Sequence, residues 1–168
     1  MDCEIRLAKI DECLEIAQVK KKCWETTYRG IYSDAIIDCF DYEKNVNTFE
    51  KIIRSDHTDL YVAIIENQIK GFMSVGAMYH SYLDYEVEIG MLYLLEEVRG
   101  QGIGTMFFQL AVAIFRRGGY KEFIVSCNKY NEKALKFYLK MGCEIIHVDD
   151  DMEDKRNSQV KFIYRLED

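Results

Sequence analysis

The chain has 168 residues, of which 49% are hydrophobic, and its formal net charge is -7. This length suits one domain, expected over residues 1–168, whose core needs no disulfide or metal to hold it, and the six cysteines form no C-x-x-C pair. The acidic balance disfavours nucleic acid as a partner, and no apolar run approaches the roughly 20 residues that cross a bilayer, which argues against a membrane partner.

The first half of the chain predicts one strand, a group of helices and a hairpin. Alternation of apolar and polar residues indicates the strands, and apolar residues at helical spacing indicate the helices. The expected elements are a strand at 4–8, a helix capped by Asp11 and reaching Tyr28, short helices at 33–40 and 43–54, and strands at 60–66 and 69–79 joined by an Asn67-Gln68 turn.

The second half predicts strands that alternate with two helices. Crossover helices combined with hairpins indicate a mixed sheet, and therefore an α/β or α+β domain. The expected elements are a strand at 85–95 that contains Gly90, a helix at 101–117 ended by Gly118, a strand at 122–127, a helix at 131–141, and strands near 143–148 and 160–166.

A glycine-rich segment joins the strand at 85–95 to the helix that follows it. Gly100, Gly102 and Gly104 stand at the helix start, beside Arg99. Backbone N–H groups and the positive end of a helix dipole converge at such a turn, and glycine lets an anion come close to the backbone. The segment predicts a phosphate or diphosphate site, although a tight turn alone also favours glycine.

Two common phosphate loops do not fit this segment. A Walker A loop requires G-x-x-x-x-G-K-[ST], and no lysine stands between Gly104 and Thr105. A dinucleotide loop requires G-x-G-x-x-G after the first strand, whereas this spacing is G-x-G-x-G beyond mid-chain. Neither class of nucleotide-binding protein is therefore indicated.

Three separated blocks of sequence resemble the GNAT superfamily of N-acetyltransferases. The segment Arg99-Gly100-Gln101-Gly102-Ile103-Gly104 matches its R/Q-x-x-G-x-G/A signature, and the preceding EIGMLYL is similar to its central strand. NEKALKFYLKMGCE resembles its second block, N-x-x-A-x-x-F-Y-x-x-x-G-F, and CWETTYRGIYSDAIID resembles its W-x-x-x-Y-R-G segment. The blocks follow the family's order over nearly the whole chain.

The resemblance implies a GNAT-type fold and acetyl-CoA as the cofactor. A central mixed, largely antiparallel sheet of about six to seven strands would be splayed at its middle and flanked by about four helices. The pantetheine arm would lie in the splay, and the glycine-rich loop would hold the diphosphate. The cofactor-binding residues implied are Leu92, Tyr93, Leu94, Arg99, Gly100, Gln101, Gly102, Ile103, Gly104, Thr105, Asn131 and Tyr138.

Acetyl transfer also needs a polarised thioester carbonyl and a proton for the leaving thiolate. The resemblance implies that a backbone N–H near Leu94 polarises the carbonyl and that Tyr138 protonates the sulfur. By spacing alone, Tyr138 would be a core aromatic residue, and the match to the second block favours the acid. Asn131 suits a helix N-cap, which is compatible with a contact to the cofactor.

Glu88 is the candidate base, acting through water. By strand alternation we expect it to share a face with Gly90, Leu92 and Leu94, where the cofactor would lie. Glu86 is expected on the same face and is its rival. An ordinary solvent-facing carboxylate is an equally good reading of Glu88 from sequence.

The acceptor pocket is implied by the first block. Trp24, Tyr28 and Tyr32 would line it with Glu86, although the same residues also read as the apolar side of a helix. The aromatic segment 79–85 would form a further wall or pack on a second subunit.

We therefore expect a cytoplasmic acetyl-CoA-dependent N-acetyltransferase without a metal. Its acceptor would be a primary amine of a small molecule or a peptide, attacked in a ternary complex, and a homodimer would suit the aromatic segment. Three alternatives remain open. One is an acetyltransferase that acts on protein N-termini or lysines, and another is a non-catalytic acyl-CoA-binding or regulatory module. The third is a nucleotide-binding interaction protein, which ATP or NAD would stabilise better than coenzyme A.

Overall fold

The computed structural model describes residues 2–166 as a mixed α/β fold. Three short 3-10 turns accompany the regular elements. The strands in this range are β1 (Glu4–Leu7), β2 (Thr58–Ile65), β3 (Gln68–Ala77), β4 (Val87–Leu94), β5 (Glu122–Asn128), β6 (Glu144–Val148) and β7 (Gln159–Arg165), and the helices are α1 (Cys13–Thr27), α2 (Asp34–Asp38), α3 (Tyr42–Ile53), α4 (Ile103–Arg117) and α5 (Glu132–Lys140).

The strands form one sheet in the order β1-β2-β3-β4-β5-β7-β6. Every neighbouring pair is antiparallel except β4 and β5, which are parallel. Their ladder contains only Glu88 opposite Ile124 and Ile89 opposite Val125, so the two strands separate beyond that point. The expected largely antiparallel sheet with a central splay is confirmed, and five helices flank it instead of about four.

Helices cover both faces of the sheet. On one face, Phe49 of α3 packs edge-on against Phe72 of β3 at 5.3 Å between ring centroids. On the other, Phe108 of α4 lies 5.7 Å from Phe123 of β5. Burying one such ring contributes about 1.5–3 kcal/mol, so these two layers of apolar side chains hold the sheet between the helices. Helix α1 lies on the same side as α3, since its Lys20 ammonium is 5.8 Å from the centre of the Phe49 ring. We call that side the α1 face and the opposite side the α4 face.

Strand β4 contains a bulge at Gly90. Ile89 lies opposite Val75 and Met91 lies opposite Ser74, which leaves Gly90 without a partner in β3. A Cβ on Gly90 would lie 2.9 Å from the Ser74 hydroxyl oxygen, so only glycine fits there without a shift. Ser74 and Val75 are successive residues of β3 and therefore point to opposite faces of the sheet. Their partners Met91 and Ile89 do the same although they are two residues apart in β4, so the alternation of β4 reverses at the bulge.

The reversal places Glu88 on a different face from the one expected. Glu88 and Tyr93 point to the α1 face, whereas Leu92 and Leu94 point to the α4 face. The prediction that Glu88 shares a face with Leu92 and Leu94 is wrong, because it assumed unbroken alternation across Gly90.

Helix α1 begins later than the sequence predicts. Its N-cap is Glu12 and not Asp11, because the preceding residues form a 3-10 turn. The Glu12 carboxylate accepts from the Lys9 backbone N–H at 2.8 Å and from the Arg6 guanidinium at 3.0 Å, which ties the turn to β1.

The hairpin between β2 and β3 turns at Glu66 and Asn67. Both residues have positive φ, at 52° and 60°, as a tight two-residue hairpin requires. The predicted Asn67-Gln68 turn is one residue late, because Gln68 already pairs with Ile65. No helix in residues 2–166 is long and apolar enough to cross a membrane.

Candidate active site

A cleft of about 570 Å³ opens where β4 and β5 separate. It runs from their last shared pair to the start of α4, and helix α5 forms one wall. Tyr28, the C-cap residue of α1, lines it from the opposite side. Of the predicted cofactor-binding residues, the cleft is lined by Leu92, Tyr93, Leu94, Arg99, Gly100, Gly102, Gly104, Thr105, Asn131 and Tyr138.

The backbone of β4 offers unpaired polar groups to this cleft. Leu95 donates its N–H to the Lys70 carbonyl of β3 at 2.9 Å. Because neighbouring residues of a strand present their N–H and C=O groups to opposite edges, those of Leu94 and Leu92 point toward β5. Beyond Ile89 they have no partner on β5, and only the Leu94 carbonyl is taken, by the side chains of Arg99 and Cys23. An extended ligand arm can pair with the remaining groups as an added strand would.

The glycine-rich loop closes the wide end of the cleft. Gly100 and Gly102 have positive φ, at 75° and 85°, and no atom lies within 4 Å of a Cβ placed on either. Helix α4 starts immediately afterwards, so the N–H groups of its first turn have no partner within the helix. This combination of open space, backbone donors and a helix dipole fits a diphosphate group.

The remaining members of the loop act in other ways. A Cβ on Gly104 would lie 3.3 Å from the Phe137 ring, so this glycine allows α4 and α5 to pack closely. The Ile103 side chain is buried in the core, and the exposed Gln101 side chain donates to the Glu97 carbonyl at 3.0 Å. Neither side chain lines the cleft.

The Arg99 guanidinium forms hydrogen bonds with other groups of the protein. Its Nε donates to the Leu94 carbonyl at 3.0 Å and one terminal nitrogen donates to the Thr27 hydroxyl at 3.1 Å. The Cys23 thiol donates to the same carbonyl at 3.3 Å. Arg99 therefore ties the loop to the end of β4 and to α1, and brings its positive charge to the cleft in a fixed orientation.

Replacing Arg99 with methionine is expected to lower the free energy of unfolding by about 2 kcal/mol, the range for a partly buried hydrogen-bonded charge. Urea unfolding of the wild type and Arg99→Met measures the difference. Arg117→Met is the matched control, because Arg117 is exposed and should change stability by less than about 0.5 kcal/mol. Equal losses in the two variants would contradict the anchoring role.

Tyr138 of α5 and Cys127 of β5 both line the cleft. The Tyr138 side chain is 5% exposed and Cys127 is 8% exposed. Within residues 2–166, no buried side-chain nitrogen or oxygen lacks a hydrogen-bond partner, and the Tyr138 hydroxyl makes no hydrogen bond to protein. The hydroxyl therefore reaches the open cleft. Burial raises the pKa of Tyr138, which keeps the phenol protonated as a donor.

Asn131 caps helix α5. Its side-chain oxygen accepts from the Ala134 N–H at 3.2 Å, as expected from the sequence. Burial raises the pKa of Tyr28, and polar contacts with Asn131 and Tyr93 act against that rise. Tyr28 thus faces the α5 wall across the cleft.

Glu88 lies opposite Ile124 at the junction of β4 and β5, and does not itself line the cleft. Its carboxylate is beside Gly90, which does. Its carboxylate accepts from the Tyr79 backbone N–H at 2.8 Å. Burial raises the pKa of Glu88, while that hydrogen bond and the charges of Lys161 and His80 lower it. The rival Glu86 is exposed and lies just before β4, where its carbonyl accepts from the Met78 N–H at 3.1 Å, and it does not line the cleft.

The aromatic residues of the first block form one cluster. The rings of Tyr28 and Tyr32 stack at 4.4 Å, and Trp24 packs edge-on to Tyr32 at 5.3 Å. The Trp24 indole donates to the Tyr93 hydroxyl at 3.4 Å. Of the four predicted acceptor residues, only Tyr28 lines the cleft. Trp24 and Tyr32 stand behind it, and Glu86 is exposed outside the cleft.

Sequence reasoning missed part of the cleft wall. Ser126 and Cys127 line it from β5, and Thr27 lines it from α1. Ser126 and Cys127 belong to no recognised motif, and the signal for them was their position at the end of an apolar strand beside the predicted splay. Thr27 lies within the W-x-x-x-Y-R-G segment, but at one of its unspecified positions. Four of the six cysteines are buried, as expected for free thiols, whereas Cys3 is half-buried and Cys39 is exposed. Residues 2–166 contain no group of His, Cys, Asp or Glu that would hold a metal.

Comparisons with known proteins agree with this geometry. The model of the acetyltransferase (GNAT) family matches residues 20–143. A spermidine N(1)-acetyltransferase of Thermoplasma acidophilum is 26% identical over 154 residues, which cover 89% of this chain and 92% of that protein. N-alpha-acetyltransferase 30 of Schizosaccharomyces pombe is 35% identical over 54 residues, covering 32% of this chain and 36% of that protein.

Solved structures share the fold. The PaiA N-acetyltransferase from Thermoplasma acidophilum, determined in complex with coenzyme A, has a TM-score of 0.83 at 23% identity, and the alignment covers 98% of this chain and 99% of that one. The family match spans the central strand, the glycine-rich loop and helix α5. This chain belongs to the GNAT acetyltransferase family and is an acetyl-CoA-dependent N-acetyltransferase.

Proposed function

We propose that this enzyme acetylates a primary amine of a small cationic molecule, which attacks acetyl-CoA directly in a ternary complex. The observation that carries the proposal is the half-buried carboxylate of Glu88 on the α1 face, beside the cleft and on the same side of the sheet as the aromatic cluster at Tyr28. A carboxylate and aromatic rings favour a cation. The polyamine acetyltransferase among the relatives and the net charge of -7 support the same acceptor class.

The diphosphate would lie on the loop from Arg99 to Thr105, and the pantetheine arm would extend along β4. Leu94 stands at the loop end of the cleft, because Arg99 bonds its carbonyl. The thioester would then lie nearer the junction of β4 and β5. We therefore propose the N–H of Leu92, and not one near Leu94, as the donor that polarises the thioester carbonyl.

Three residues would carry the transfer. Leu92 orients the carbonyl while the amine nitrogen forms a bond to its carbon. Tyr138 gives its phenolic proton to the departing sulfur as the carbon–sulfur bond breaks, and regains a proton from solvent. Glu88 accepts the amine proton through a water molecule. Asn131 keeps the start of α5, and with it Tyr138, in position.

The pH dependence of kcat/KM tests Glu88. Because burial raises its pKa, the carboxylate loses its proton at a higher pH than an ordinary glutamate, and activity should rise through that higher pKa. Glu88→Gln should abolish this acidic limb and lower kcat/KM by about 10²-fold or more, the usual contribution of a general base. Glu86→Gln is the control and should keep the acidic limb of the pH profile. Loss of that limb in Glu86→Gln, and not in Glu88→Gln, would identify Glu86 as the base.

An acceptor panel tests the amine class. Release of the CoA thiol would be followed with polyamines, aminoglycosides, lysine and N-terminal peptides, each at equal concentration. We expect the highest kcat/KM with a small polycation. Preference for peptides would favour the protein acetyltransferase, a candidate supported by the partial similarity to N-alpha-acetyltransferase 30. Binding of acetyl-CoA without turnover of any amine would favour the non-catalytic module.

The proposal also includes one domain, a cytoplasmic location and a homodimer. For the homodimer, the support is the exposed apolar surface of the segment 79–85, where Tyr79 is 82% and Leu83 is 75% exposed. Sedimentation analysis of Leu83→Glu against the wild type tests it, since a charge in a subunit contact should yield monomers.

A further inference from the structure

Cys127 differs from the other cysteines in its position relative to the cleft. All six lie in the described residues, and Cys127 is the one that lines the cleft. It stands two residues beyond Val125, the last residue of β5 that pairs with β4. Val125 points to the α4 face, and Cys127 does the same by alternation. The thiol thus lies at the narrow end of the cleft, on the side of α5.

Tyr138 marks this end as a ligand position. Its ring is more than nine-tenths buried, and its hydroxyl opens into the cleft without a partner from residues 2–166. The Tyr138 ring packs on Phe162 at 5.6 Å, and Phe162 lies opposite Val125 of β5, which places Tyr138 on the α4 face near Cys127. The pKa of Tyr138, raised first by burial and next by Cys127, agrees with this placement. A donor aimed at empty space beside a thiol suits the sulfur of the cofactor.

The Cys127 thiol is itself protected from oxidation. Burial raises the pKa of Cys127 to about 12, so almost no thiolate exists near neutral pH. Because the thiolate is the form that reacts with oxidants, Cys127 alone should resist peroxide.

We propose that Cys127 is a modification site, at which the thiol of bound coenzyme A is captured as a reversible disulfide when peroxide is present. The proposal rests on the proposed position of the thioester at the narrow end of the cleft. It is separate from acetyl transfer, because it involves the free thiol of the product and not acetyl-CoA.

The chemistry balances in two steps. The sulfur of coenzyme A attacks one peroxide oxygen, the O–O bond breaks, and a sulfenic acid and one water form. The Cys127 thiol then passes its proton to the sulfenic hydroxyl as its sulfur bonds to that of coenzyme A, so the S–S bond forms and a second water leaves without a free thiolate forming beforehand. Two thiols are oxidised and one peroxide is reduced. Proximity in the cleft favours Cys127 over thiols in solution.

Acetyl-CoA should protect the enzyme. Its sulfur is acylated and cannot form the sulfenic acid. When acetyl-CoA fills the cleft, there is therefore no coenzyme A thiol with which Cys127 could form a disulfide. The site would therefore inactivate the enzyme under oxidation only when free coenzyme A is bound.

Intact-mass spectrometry tests the proposal. Protein with equimolar coenzyme A would be treated with hydrogen peroxide, and the mass should rise by one coenzyme A less two hydrogens, on Cys127 by peptide mapping. Dithiothreitol should reverse the adduct and restore activity. Acetyl-CoA or desulfo-coenzyme A in place of coenzyme A should prevent it. Cys127→Ser and Cys127→Ala should lose the adduct, whereas Cys39→Ser, at the exposed cysteine, should keep it.

Calorimetry separates two kinds of failure. Each variant is first titrated with coenzyme A, and only those that bind it are compared. An adduct on Cys39, an adduct that persists in both Cys127 variants, or no adduct in wild type that binds coenzyme A would overturn the proposal. Absence of binding in wild type would instead contradict the cofactor assignment itself.

Discussion

Tyr138→Phe is expected to lower kcat for amine acetylation by about 10²-fold or more, the usual contribution of a general acid, while the Kd of coenzyme A changes by less than about threefold. The phenylalanine keeps the ring that packs on Phe162 at 5.6 Å, so the α5 wall stays in place. Only the proton for the leaving sulfur is lost. Steady-state kinetics and calorimetry on the same preparation measure the two quantities.

Tyr164→Phe is the matched control for this variant. Tyr164 also lies on the α4 face and contacts Phe123 at 5.2 Å, but it does not line the cleft. It should retain wild-type kcat. A fall in coenzyme A affinity equal to the fall in kcat in Tyr138→Phe would contradict the acid role and indicate a binding residue.

Gly102→Ala is expected to weaken coenzyme A binding by about tenfold or more, as a loss of about 1.4 kcal/mol would produce. The new methyl group would stand in the open space above the loop, where the diphosphate approaches the backbone. The backbone at φ 85° would also be strained, at a cost of about 1–2 kcal/mol in folding. Calorimetric titration and urea unfolding measure the two effects separately.

Gly119 offers a control for the strain. It has φ 79° with nothing within 4 Å of a Cβ, and it follows the far end of helix α4. Gly119→Ala should therefore lose a similar free energy of unfolding and bind coenzyme A like the wild type. Equal affinities in the two alanine variants would show that the loop does not hold the diphosphate.

Local patterns were sufficient for the order of elements and for the glycine-rich loop. The helices α4 and α5 begin within two residues of their predicted starts, since apolar spacing and terminal glycines are properties of a short segment. Gly100 and Gly102 do adopt positive φ, the conformation for which glycine is selected. The Asn131 cap was predicted for the same reason, because its partner lies three residues away.

Contacts between distant segments decided what the sequence left open. Glu88 lies on the face opposite to Leu92 and Leu94, contrary to the prediction, because of a bulge that is defined only by the pairing of β4 with β3. Arg99 proved to be bound to Thr27, which is 72 residues away in the chain. Cys127 lines the cleft because β4 and β5 separate beyond Val125. Residue spacing determines which face of an isolated element is apolar, but partners, register and the splay follow from packing of the whole sheet, and these determine where each reactive group lies.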